Sequence, residues 1–153
     1  MVMATSLFMY SCGGGEEKSV RDETPNPQAP ATEAPAADAN AAKGIGKFTN
    51  VELTHPLDEK MVSAGKSIYD VKCSSCHKLT DEKLVGPGWK GVTDRRTAEW
   101  IMNFATNTDE MLDKDAEAKA MMEVCMVRMP NQNLKDDEAR QLVEYMRKND
   151  GKN

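Results

Sequence analysis

Two cysteines three apart, with a histidine directly after the second, form the stretch Cys73-Ser74-Ser75-Cys76-His77. Three chemistries use a dithiol beside an imidazole. A thioredoxin-type redox site places Cys-x-x-Cys at a helix N-terminus after a strand. A structural zinc ion requires four ligands. Covalent haem attachment uses Cys-x-x-Cys-His itself: two thioether bonds fix the porphyrin edge to one turn of chain, and the adjacent imidazole meets the iron.

The remaining residues weigh against the first two. Helical spacing, not a strand, precedes the motif. Cys12 falls in the N-terminal leader, Cys125 stands alone, and His55 is the other histidine of the chain. No second paired cluster is left to complete a zinc site. Cys73 and Cys76 are therefore the expected points of haem attachment, with His77 as the proximal ligand. The composition agrees. Aromatic residues make up 5% of the 153 residues and charged residues 29%, so a core built from protein alone would be thin. A large apolar group at the centre would make up the shortage, and eleven methionines suit packing around an irregular shape. The net charge of −5 argues against nucleic acid as a partner.

Helices must position this site. Apolar residues recur at helical spacing over Leu57 to Cys73, with Leu57, Met61, Ala64, Gly65, Ile68 and Tyr69 on one stripe. The same spacing runs over Thr97 to Asn107, through a single region from Asp109 to Met129, and over Leu134 to Asn149. The last has acids in its first turn and Arg147 and Lys148 in its last, as the helix dipole favours. "LVGPGWKGV" (Leu84 to Val92) reads as an ordered loop. An all-α domain is expected over 48–153.

The N-terminus differs in kind. Residues 1–12 hold a short apolar run, then Ser11 and Cys12, then glycines. This resembles a bacterial lipoprotein signal, in which the chain is cut before a cysteine that is then acylated. The leader is short and lacks a basic region, so the true start is expected upstream. Residues 13–47 are rich in Pro, Ala, Gly and acids and read as a flexible tether. No apolar run reaches the ~20 residues that span a bilayer.

At this point the chain resembles the class I monohaem c-type cytochromes. Gly65 and Tyr69 stand eight and four residues before Cys73, where that family packs its first helix against its last. Leu142 and Tyr145 correspond to the partner pair on the last helix. Gly86-Pro87 corresponds to the Gly-Pro after the haem motif, whose proline carbonyl accepts the ring N–H of the proximal histidine. The resemblance implies an all-α cytochrome c fold wrapped around one covalently attached haem c, with iron. It also implies Trp89 and Trp100 as haem neighbours, either reaching a propionate through the indole N–H or packing in the core with that N–H satisfied. Guanidinium geometry suits carboxylates, so one of Arg95 and Arg96 is expected at a propionate and the other in solvent. The final helix usually has a Ser or Thr cap; here Lys135 stands in that place and Asp136 is expected to cap instead.

The second axial ligand decides what such a haem does. Met129 precedes Pro130, which pushes it out of helical conformation and onto a loop before the last helix. The resemblance places the family's ligating methionine there. Met126 is the nearest rival; Met111, Met121 and Met122 fall at helical spacing and read as core filler. His55 reads as a surface or haem-edge residue. Asn131 and Asn133 are candidates to hydrogen-bond the Met129 sulfur or a propionate, or to form the loop. Cys125 reads as a small buried apolar residue.

With His77 and Met129 as ligands, the expected function is single-electron transfer by a carrier rather than an enzyme. The expected site is the periplasmic side of a bacterial membrane, with the lipid at Cys12 as anchor. A quinol-oxidising complex is the expected donor and a terminal reductase or oxidase the acceptor. Segments such as "RMPNQNL" resemble small cytochromes that serve terminal reductases, nitrous oxide reductase among them. The competing expectation is a haem sensor or peroxidase-like enzyme with an open axial position.

Overall fold

The computed structural model describes residues 41–153, and Cys12 and the part of the expected tether up to residue 40 lie outside the described residues. A 3₁₀ turn at Ala41–Lys43 precedes six helices: α1 (Glu59–Lys72), α2 (Val92–Arg95), α3 (Ala98–Thr106), α4 (Thr108–Lys114), α5 (Ala116–Cys125) and α6 (Asp136–Asn149). Among the described residues there is no strand, only an isolated bridge between His77 and Lys83. The all-α expectation holds.

Side-chain caps set the helix starts. The Asp58 carboxylate accepts the N–H of Lys60 and Met61 at the head of α1, and the Thr97 hydroxyl accepts the Trp100 N–H at the head of α3. The single region expected from Asp109 to Met129 is two helices. Asp115 takes extended backbone between them and caps α5 by accepting the Ala118 N–H at 2.8 Å. The cap expected at Asp136 is also corrected: α6 begins with Asp136, and Lys135 is the capping position. The Glu138 carboxylate reaches back to accept the Lys135 N–H, half of a capping box.

The core is the crossing of α1 and α6. Gly65 and Tyr69 of α1 meet α6, and the Tyr69 and Tyr145 rings lie 5.7 Å apart, centre to centre. Gly65 has no room for a side chain, because an added Cβ would lie 2.1 Å from the Gln141 carbonyl oxygen. Leu142, Val143 and Met146 are buried on the inner face of α6. Burial of each contributes about 2 kcal/mol.

The ordered part starts earlier than residue 48. Buried Asn103 donates to the carbonyls of Lys43 and Phe48 and accepts the Phe48 N–H. The Thr97 hydroxyl donates to the Ala42 carbonyl, and the Glu99 carboxylate accepts the Val51 N–H. Residues 42–47, expected as tether, are therefore laid across α3. Further along, Glu144, with no exposed surface, accepts from the Thr54 hydroxyl and the Asp58 N–H and pairs with Arg140 and Arg147. This binds residues 54–58 to α6.

Candidate functional site

The Cys-Ser-Ser-Cys-His turn grows out of the end of α1. Cys73 is the residue after the last helical one, and the N–H groups of Cys76 and His77 both donate to its carbonyl, at 3.0 and 2.9 Å. The loop that follows folds back on the turn: Gly86 N–H donates to the Cys76 carbonyl and Trp89 N–H to the Lys78 carbonyl. The Tyr69 hydroxyl donates to the His77 carbonyl at 2.8 Å. The α1–α6 crossing and the motif are thus fastened by one side chain.

His77 is buried. Its Nδ1 lies 2.9 Å from the Pro87 carbonyl oxygen, which makes it the donor and leaves Nε2 as the lone-pair nitrogen. Burial lowers the imidazole's pKa from its ordinary value, opposed by the Pro87 hydrogen bond, so the ring is held neutral, the form that ligates metal. Gly86 lies flat against the ring: a Cβ there would come within 2.3 Å of His77 Cε1. Gly86→Ala is therefore expected to cost about 1–3 kcal/mol by overpacking. A thermal melt of the variant checks this, and the variant's ligand-field spectrum reports whether the ring has turned. Trp89 packs beside the imidazole, 5.5 Å between ring centres, and against Tyr69 at 5.0 Å.

Burial pushes the Cys73 thiol up to about 11. A redox dithiol needs a depressed thiol pKa, so the local chemistry is opposite to that of a thioredoxin-type site. Among the described residues no cluster of three or more His, Cys, Asp or Glu side chains is arranged to hold a metal ion. The zinc reading has no ligand cluster to rest on among the described residues.

Two adjoining cavities, of about 430 and 170 Å³, open beside His77. The larger is walled by Cys76, Val85, Gly86, Met122, Cys125 and Val127, the smaller by Cys73, Trp89, Arg95, Arg96, Leu134 and Leu142. His77, Pro87, Phe104, Met121 and Met129 line both. The space is apolar, has one motif cysteine on each part, and is bordered where they join by an imidazole and two thioethers. That donor set suits a flat iron macrocycle. Residues that would hold it are Cys73 and Cys76 at the edge, His77 and a methionine at the metal, and Arg95 and Arg96 near acidic substituents.

The other side chains singled out in the sequence divide between the cavity walls and the rest of the fold. Trp100 lines the smaller cavity, but its indole N–H donates to Asp115 Oδ1 at 3.4 Å, so it presents its ring and not its N–H. Arg96 stacks on that ring at 4.9 Å and pairs with Glu117 at 2.6 Å, and Arg95 donates to the Lys90 carbonyl. Asn131 lines neither cavity: its side-chain oxygen accepts the Asn133 N–H and makes the loop turn. Gln132 occupies the cavity wall instead. Met126 ends α5 in left-handed conformation and is 83% exposed. Met111 is fully buried, its sulfur accepting the Ile45 N–H. His55 lies in a separate groove with Val51, Leu53 and Arg147. Met121 and α2 are the parts of the site that helical periodicity alone does not reveal. Asp150 holds α2 by accepting the N–H groups of Gly91 and Thr93 and the Thr93 hydroxyl.

The family model for cytochrome c matches residues 62–150, more than half of the chain. The chain belongs to the cytochrome c family, whose members carry covalent haem c and serve in haem-based electron transfer. Among solved structures, the chain is similar to the cytochrome c from Rhodothermus marinus. The two are 28% identical, with a TM-score of 0.70, over 74% of this chain and 97% of that one. An engineered form of that protein gives 27% identity and 0.69 over the same shares. The cytochrome c domain of a Pseudomonas putida protein is 31% identical, with a TM-score of 0.51, over 57% of this chain and 88% of that one. Among curated proteins none matches.

Proposed function

We propose that this chain is a monohaem single-electron carrier of the class I kind. Cys73 and Cys76 bear the thioethers, His77 Nε2 is the proximal ligand and Met129 Sδ the distal one. The observation that carries this reading is the join between the two cavities. There the buried, Pro87-oriented imidazole shares a lining with the pre-proline methionine. When bound, the haem supplies a one-electron iron couple. The chain fixes the ring of His77, lines the cavities with the apolar Phe104, Leu134 and Leu142, and sets cationic Arg95 and Arg96 in the wall of the smaller one.

The proposal extends to the setting. Cys12 is acylated after cleavage of the leader and anchors the domain to the periplasmic side of a bacterial membrane, with residues 13–40 as tether. The donor is a quinol-oxidising complex, and the acceptor is a terminal reductase or oxidase, nitrous oxide reductase being one to test. Support for the anchor is the leader pattern ending in Ser11-Cys12-Gly13; support for the partners is the likeness of the "RMPNQNL" segment.

The test begins with the purified holoprotein. Its ferric spectrum is expected to show the weak red band of sulfur-to-iron ligation, and the ferrous form is expected to resist carbon monoxide. A ferric spectrum without that band, with rapid carbon monoxide binding, would turn the reading toward a sensor or peroxidase-like enzyme. The mass of the denatured chain is expected to exceed its sequence mass by one haem, and the Cys73→Ser/Cys76→Ser variant is expected to lose that increment. Mass analysis of the mature N-terminus decides whether Cys12 carries lipid.

A further inference from the structure

We infer that Met121 is a second sulfur donor for the iron position that Met129 occupies, and takes it when Met129 leaves. This rests on the haem-carrier reading above. At helical spacing Met121 is one methionine among several, but the cavities separate it from the rest. A group that spans both cavities must have its middle near the residues common to both. Those are His77, Pro87, Phe104, Met121 and Met129. Met122 reaches one cavity only, and so does Met146. Met111 and Met126 reach neither. One imidazole and two thioethers therefore share the place where one imidazole and one thioether would complete the iron.

The two sulfurs come from separately fastened elements. Met129 sits on the loop after α5, between Met126 and Asn133, both in left-handed conformation. Met121 sits in the second half of α5, which has ties of its own. At its head Asp115 caps the helix and accepts from Trp100. Arg96 of the segment after α2 pairs with Glu117, and Lys83 donates to the Val124 carbonyl near its end. Displacement of the loop therefore removes one thioether and leaves the other in the cavity. The unbranched methionine side chain has three rotatable bonds and adapts to such a gap. Soft thioether sulfur is the donor type that this site already uses. The function of the second donor is to keep a sulfur on the iron if Met129 is displaced, and so keep external ligands such as carbon monoxide from binding there.

The experiment compares three holoproteins: Met129→Ala, Met121→Leu, and the double variant. The Met129→Ala protein is expected to keep a sulfur-to-iron band, altered in position or strength, and to resist carbon monoxide. The double variant is expected to lose the band and bind carbon monoxide freely. Met121→Leu alone is expected to keep the wild-type band. Met129→Ala and double-variant spectra that coincide would overturn the inference while leaving the wild-type band, and the carrier reading, intact. Loss of the band in Met121→Leu alone would overturn it as well, since Met121 would then be the resident ligand. Should Met129→Ala fail to accumulate, methyl-labelled methionine NMR of the ferrous wild type in mild denaturant gives the same decision. A second strongly shifted methyl signal that is missing in Met121→Leu supports the inference, and its absence from the wild type overturns it.

Discussion

Gly65→Ala is expected to lower the melting temperature of the holoprotein by more than about 10 °C, on the scale of a domain of this size. The added methyl would stand 2.1 Å from the Gln141 carbonyl oxygen and 2.8 Å from Tyr145 Cβ. The first of these is helix backbone, so no flexible side-chain end can swing aside. α1 and α6 would have to separate. That opens the contact between Tyr69 and Tyr145 and shifts Leu142, which lines the smaller cavity. Overpacking against rigid backbone puts the cost at about 3 kcal/mol or more. Ser67→Ala, on the exposed face of the same helix, is the control and should change stability by less than about 0.5 kcal/mol. Melts of the two variants side by side decide the matter. A Gly65→Ala protein that melts with the control would mean that the crossing is looser than described.

Glu144→Ala is expected to destabilise the domain by about 3–5 kcal/mol, the usual cost of leaving buried charge without its partner. The carboxylate has no exposed surface, and Arg147 Nη1 and Arg140 Nη1 lie at 2.8 and 2.6 Å from its oxygens. Removing it strands Arg147, itself buried, and releases the Thr54 hydroxyl and the Asp58 N–H. The loss also has a pH signature. Burial by itself would raise the carboxyl's pKa, but the hydrogen bonds from Arg140, Thr54 and Arg147 outweigh it and hold the pKa below its ordinary value. A carboxyl lowered by folding contributes stability that is fully present above its unfolded pKa of about 4.3. That stability is lost as the pH falls through the lower folded value. The wild type should therefore lose stability faster than Glu144→Gln on acidification below about pH 4. Denaturant titrations across that range check the slope, and parallel curves for the two proteins would remove the linkage.

Much of the site was legible because its chemistry is local. Cys73, Cys76 and His77 stand out by spacing, and Met129 by the proline after it, and all four line the cavities. α1, α3 and α6 follow from apolar residues at helical spacing, and their observed ends fall within two residues of the expected ones. What was not legible depends on distant partners. The four residues of α2 have no period to read, and Asp150, far along the chain, holds their start. Residues 42–47 have the composition of a tether; their order comes from backbone bonds to Asn103 and Thr97, which composition does not encode. Asp115 breaks one apparent helix into two. An aspartate among acids and alanines suits a helix interior or a cap, and here its carboxylate accepts the Ala118 N–H as a cap and the distant Trp100 N–H besides. Asn131 was one of two neighbouring amides with the same local options, and turn geometry chose its role. Met121 shows the limit most clearly: helical spacing makes it core, and only the join of two cavities separates it from its neighbours.

The hold on the His77 ring bears on speed. Nδ1 is tied to Pro87, the ring face rests on Gly86, Trp89 stands beside it, and Tyr69 fastens the residue's own carbonyl. In the proposed carrier, a nitrogen so fixed would keep its direction when the charge on a bound iron changes by one. Groups already set for both charge states need little rearrangement at the moment of transfer. The rearrangement required of His77 would then be small. In such a carrier the distance at which a second molecule brings its own redox centre would then weigh more on the rate than any movement of His77.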